Sequence, residues 1–129
     1  MNLVIASLLL AGAMPWICAG IAKAGQKSYD NHNPREWLAK QTGYRARANA
    51  AQGNCFEAFP IYAVGVLLAF YTEVPQDEID LYASLFVAAR VAYVALYISD
   101  QDKLRSIAWV VGVICTVGLY IASMGSMGA

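Results

Sequence analysis

The chain has 129 residues, 59% of them hydrophobic and 14% charged, and its nine basic and nine acidic side chains give a formal net charge of zero. So apolar a composition at this length excludes an ordinary soluble domain and indicates a small polytopic membrane protein. Zero net charge offers no general basic surface for nucleic acid, so the information lies in where each charge falls along the chain.

Asn2 to Ala22 contains no charged residue. It is long enough to cross a hydrocarbon core of about 30 Å at a rise of about 1.5 Å per residue. No Lys or Arg precedes this run and no convincing small-x-small site follows it, so it is expected to stay as the first span rather than be cleaved as a signal peptide. The connection that follows carries Tyr29-Asp30-Asn31-His32-Asn33-Pro34-Arg35, polar and turn-rich, and then a helix-capable Trp37-Leu38-Ala39-Lys40. A partly ordered cover over one end of the bundle is expected there.

The second span is expected from near Arg47 to Tyr71, the third from Asp80 to Ile98 and the fourth from Arg105 to Met124. Pro60 interrupts the second because it has no N–H for the Phe56 carbonyl, which predicts a kink or rearranged turn. Val74-Pro75, with Asp77 and Glu78, reads as a short turn. Four spans fill nearly the whole chain, so the fold class is all-α, an integral membrane four-helix bundle in a single domain covering residues 1–129.

Loop charge orients the bundle. Lys23, Lys27, Arg35, Lys40, Arg45 and Arg47 lie between the first two spans, and Lys103 and Arg105 between the last two. The middle loop has Glu73, Asp77, Glu78 and Asp80 and no base. Both termini are therefore expected on the non-cytoplasmic side.

Cys18, Cys55 and Cys115 fall in three different spans without CxxC spacing or a nearby His, so neither a disulfide framework nor a metal site is expected and small buried hydrophobes is the leading reading. Cys55 adjoins Asn54 in a polar stretch, which keeps a redox thiol as the minor alternative. His32 reads as a solvated loop side chain. Ala108 with Gly112, and Gly118 with Ala122, are small residues at i,i+4 suited to close helix packing. Trp16, Trp109 and Tyr120 read as interfacial anchors or packing groups.

The stretch RARANAAQGNCFEAFP, residues 45–60, is polar where a span should begin, and such groups are costly in a bilayer core unless they face protein or water. In the third span Arg90, Tyr93 and Tyr97 share one helical stripe. Glu57 lies about 15 Å from the start of its span and Arg90 about 13 Å from the end of its own, so the two opposite charges sit at one level. An Arg90–Glu57 ion pair supported by Asn54 would explain those three residues as interior glue. Arg47, Gln52, Tyr93, Tyr97 and Arg105 crowd the same end and exceed what one ion pair can use. The surplus of Arg and Tyr donors suits a small ligand with several carboxylates, and if that ligand carries a thiol, an arginine near the sulfur favours the thiolate.

Arg47 with Asn54-x-x-Glu57-x-x-Pro60, Arg90-Val-Ala-Tyr93-x-x-x-Tyr97 and Arg105-Ser106 occur in order on spans of matching length. In this the whole chain resembles the MAPEG family, the membrane-associated proteins in eicosanoid and glutathione metabolism, and looks closest to its short bacterial members. The resemblance implies a homotrimer in a bacterial inner membrane, with glutathione as cosubstrate in clefts between subunits that face the cytoplasm. It implies that Asn54 and Glu57 contact the peptide, that Tyr93 and Tyr97 help hold it, and that Arg47 meets a ligand carboxylate. Arg105 would be catalytic as the thiolate-stabilising arginine, and Arg90 partly structural through Glu57. Ala50 departs from the eicosanoid branch, which has arginine there, and so removes one ligand-carboxylate contact. The expected activity is a glutathione-dependent transferase or peroxidase acting on a lipophilic small molecule drawn from membrane lipid. The alternative is a non-enzymatic lipid-binding or accessory subunit that keeps the fold.

Overall fold

Long apolar segments fold as helices in a bilayer because only a helix satisfies its own backbone N–H and C=O groups there. The computed structural model describes residues 2–128, and among them four helices are long and apolar enough to cross a membrane: α1 (Asn2–Lys23), α3 (Gly43–Tyr71), α4 (Gln76–Ile98) and α5 (Asp102–Met127). A short α2 (Pro34–Ala39) opens with proline at its first turn, where no N–H is needed. The fold is all-α. The last three long helices begin earlier than the expected spans, at Gly43, Gln76 and Asp102, because their first turns are polar and extend beyond the apolar windows. α3 continues as helix through Pro60, and α1 likewise holds Pro15.

α1 packs along α3 and α4 along α5, with α3 also touching α4 and α5. One core cluster gathers Val4, Ala11, Tyr62, Val66, Phe86, Cys115 and Leu119, where Tyr62 stacks on Phe86 at a centroid distance of 3.7 Å and its hydroxyl lies 2.6 Å from Ser7 Oγ. A second gathers Met14, Cys18, Ala51, Cys55, Tyr93, Val94 and Ala108. Two close approaches need glycine. A Cβ on Gly65 would lie 2.9 Å from the Tyr120 ring, whose hydroxyl donates to the Ile61 carbonyl, and one on Gly118 would run into the Tyr82 ring.

Helix ends are closed by specific devices. After α3, Glu73 takes a left-handed conformation, and the N–H groups of Glu73 and Val74 bond the carbonyls of Phe70 and Ala69. After α4, Asp100 does the same, with Asp100 and Gln101 bonding Tyr97 and Leu96. Each is a Schellman closure, with the buried Val74 covering the first.

At the opposite end of α3 two arginines act on neighbouring helices. Arg45 donates through Nη1 to Ala22 O at 2.8 Å and through Nη2 to Ala24 O at 2.7 Å, while Arg47 Nε donates to Ile98 O at 2.9 Å. The last carbonyls of α1 and α4 thus receive cationic donors where the helix dipole is negative. Above them the α1–α3 connection is ordered: Trp37 and Leu38 pack on Ala22 and Ala48, with Tyr29 edge-on to Trp37. The His32 N–H donates to Asp30 at 2.8 Å and holds that carboxyl below its usual range.

Gly118→Val forces the Tyr82 ring out of its position and is expected to lower stability by about 1–3 kcal/mol. Gly125→Ala, with nothing within 4 Å of the added Cβ, leaves it unchanged. Thermal unfolding in detergent micelles measures both; equal midpoints for the two variants would refute the close-packing account.

Candidate functional site

The polar residues of α3, α4 and α5 meet on one flank of the bundle, at the end where Arg45 and Arg47 clamp the neighbouring helices. Arg90 is the most deeply placed charged side chain, 4% exposed. Its Nη2 donates to Asn54 Oδ1 at 2.9 Å and to Cys55 Sγ at 3.2 Å, and its guanidinium carbon lies 4.3 Å from the centre of the Tyr93 ring. The arginine stem packs against α5 at Gly112, its Cδ lying at ordinary contact distance, 3.7 Å, from where a Cβ would be.

The expected Arg90–Glu57 ion pair does not form. The only ion pair among the described residues joins Lys40 to Glu36 on α2. Arg90 instead bonds Asn54 and Cys55, while Glu57 borders the same groove with its side chain exposed. Arg90 is therefore a buried cation served by neutral acceptors, namely an amide oxygen, a thiol and a π face.

Two cavities flank this network. The first, about 230 Å³, is lined by Asn54, Glu57, Phe86, Arg90, Trp109 and Thr116 among others, and runs along apolar side chains of α5. The second, about 440 Å³, is lined by Asn54, Tyr93, Tyr97, Arg105, Ser106, Trp109 and Val110. Asn54 and Trp109 border both, so the two form adjoining parts of one cleft. Arg105 stands with its guanidinium carbon 4.0 Å from the centre of the Tyr97 ring, and Tyr97 meets Tyr93 edge to face at 5.6 Å. The two phenol rings and the guanidinium hold one another in position on the cleft wall.

Of the candidate residues, Asn54, Glu57, Arg90, Tyr93, Tyr97 and Arg105 border this cleft. Arg47 does not line it, because its Nε closes α4; Gln52 lines neither cavity. Trp109, which the sequence alone reads as an anchor or packing group, borders both cavities. Its signal is present in the spacing, since Arg105, Trp109, Gly112, Val113 and Thr116 follow one face of α5 at helical steps. Cys55 also belongs to the network through Arg90, as its position beside Asn54 signals.

The sequence pattern of the MAPEG family matches residues 3–125, including every residue of the cleft. The chain belongs to the MAPEG family. No curated protein sequence matches it at a significant level. For a MAPEG chain the cleft geometry gives residue-level content to the resemblance: a buried guanidinium, a second guanidinium at the mouth and two tyrosines converge from two helices, with Asn54 from a third. Such a set can bind a small polyanion and stabilise negative charge on it.

Asn54→Leu removes the amide oxygen that serves buried Arg90 and is expected to destabilise the protein by about 1.5–3 kcal/mol. Glu57→Gln, altering an exposed carboxylate with no ion-pair partner among the described residues, produces a clearly smaller shift in the same detergent melts. The reverse order would restore the Arg90–Glu57 pairing.

Proposed function

We propose that this MAPEG protein is a membrane glutathione-dependent transferase or peroxidase, working as a homotrimer whose subunits complete one another's clefts. The observation that carries the reading is Arg105 held over the Tyr97 ring on the wall of a cavity that also presents Asn54 and Tyr93. Family membership supports a glutathione-like thiol peptide as the substrate class. Two further features support assembly. Glu57 is exposed on the flank of a membrane-spanning helix, where a carboxylate facing acyl chains is costly, and a neighbouring subunit or ligand would cover it. Each spanning window is no more than one-third buried within the chain, which leaves broad faces for contact.

In this reading Asn54 and Glu57 bind the peptide backbone and amino group, Tyr93 and Tyr97 hold its body, and Arg90 fixes Asn54 from behind. Arg47, while closing α4 through Nε, keeps its other guanidinium nitrogens for a ligand carboxylate at the cleft mouth. Arg105 favours the thiolate, which then attacks a lipophilic electrophile or hydroperoxide. The groove along Trp109, Val113 and Val117 admits that substrate from membrane lipid. Arginine suits the catalytic role because it remains charged under all working conditions. The rest of the contribution is orientation in a site sheltered from water. Loop charge supports a cleft that faces the cytoplasm with both termini on the other side. The resemblance to short bacterial members supports a bacterial inner membrane.

Ala50 favours a second reading, a non-enzymatic lipid-binding or accessory subunit, because this exposed position of α3 offers no donor to a ligand carboxylate. Ultraviolet thiolate absorption on mixing purified protein with glutathione separates the two. The enzyme reading expects a signal that Arg105→Ala abolishes; a pKa displacement of about two units corresponds to about 2.7 kcal/mol. No signal at saturating thiol would put the accessory reading ahead.

A further inference from the structure

Cys18 on α1 and Cys55 on α3 are both buried free thiols packed in one core cluster. Cys55 is also the sulfur that accepts from Arg90 Nη2 at 3.2 Å. Two thiols from packed helices, one of them bonded to a guanidinium from a third, thus share one cluster. The third cysteine, Cys115, belongs to the other core cluster and has no such neighbours among the described residues. A small void of about 10 Å³, room for one water-sized group, lies against Cys55 and is lined by Met14, Ala58, Phe59, Phe86 and Arg90. Ala58, Phe86 and Arg90 also line the 230 Å³ groove. The void therefore adjoins that groove, with Ala58, Phe86 and Arg90 as the wall common to both.

We propose that Cys18 and Cys55 form a redox-active dithiol that reduces an organic hydroperoxide lying in the apolar groove and closes to an intramolecular disulfide. The groove is shaped for an apolar body, and the void admits little more than a terminal oxygen. Cys55 attacks that oxygen: an S–O bond forms, the O–O bond breaks, and the thiol proton passes to the departing alkoxide, giving a sulfenic acid and an alcohol. Arg90 supplies positive charge beside the attacking sulfur and the leaving oxygen. Cys18 then attacks the Cys55 sulfur. An S–S bond forms, the S–O bond breaks, and hydroxide leaves with the Cys18 proton as water. Two electrons have passed from the dithiol to the peroxide. A low-molecular-weight thiol restores the pair by exchange, two such thiols ending as their own disulfide. Arg90 loses a thiol acceptor in the oxidised state while keeping Asn54, so the cleft wall senses the bridge.

This chemistry does not rest on thiol binding at Arg105, and the test contains no glutathione. The reduced protein in detergent is treated with cumene hydroperoxide, denatured and labelled with a maleimide-polyethylene glycol, which counts free thiols on a gel. The proposal expects the three labels of the reduced chain to fall to one, with one equivalent of alcohol released per chain. It further expects a Cys18–Cys55 cross-linked peptide in the mass spectrum and recovery of three labels after dithiothreitol. The Cys115→Ser variant, unaltered at the pair, falls from two labels to none. Retention of three labels by the unmodified chain, or oxidation of Cys55 to sulfinic acid without the bridge, overturns the proposal.

Discussion

A buried guanidinium without a carboxylate is the constraint on which this bundle turns. Arg90 lies in a membrane-spanning helix at 4% exposure, and its protein partners are an amide oxygen, a thiol sulfur and an aromatic face. Removing a cation from water costs several kcal/mol even after relaxation, and neutral acceptors offset that less well than an anion. Each neighbour is correspondingly specialised. Asn54 turns its oxygen inward and Tyr93 offers its ring. No carboxylate bonds this cation among the described residues.

Around that centre the arginines of α3 set the register. A membrane bundle has no hydrophobic force between its helices, so their relative depth must be fixed by packing and by polar contacts. Arg45 grips the end of α1 and Arg47 the end of α4, which aligns three helix termini and places Asn54, Tyr93 and Tyr97 in the same end of the bundle. Register and site are therefore linked. The residues that hold the helices together lie about two to three turns from Asn54 and Glu57 at the cleft, on the same stretch of α3.

The four spans are legible in the sequence because a run of about 20 mostly apolar residues fits a membrane crossing and little else. Also legible is that Asn54, Arg90, Tyr93, Tyr97 and Arg105 share one end, since depth follows from residue count. Azimuth is not. Glu57 and Arg90 share a level, and level alone suggests an ion pair, but Arg90 bonds Asn54 and Cys55 while Glu57 lies exposed at the groove. Arg47 shows a similar limit: nothing local in the sequence indicates that the α4 carboxyl-terminal carbonyl of Ile98 lies within its reach. Cys18 and Cys55 stand far apart along the chain, so their place in one cluster depends wholly on how α1 packs against α3.

The position of Trp109 ties the two halves of the cleft to one another. It borders both the chamber of Arg105, Tyr93 and Tyr97 and the apolar groove that ends near Thr116 and Val117. A large ring at such a junction partitions a polar compartment from an apolar one while leaving Asn54 common to both. A charged molecule entering from the loop end meets guanidinium and phenol groups, whereas an apolar molecule entering from the side meets valine, isoleucine and phenylalanine. In the proposed reaction the two would therefore approach from different solvents and meet at the asparagine bonded by Arg90. The geometry behind that proposal is a polar network at one end of an apolar groove, with Asn54 and Trp109 common to both compartments.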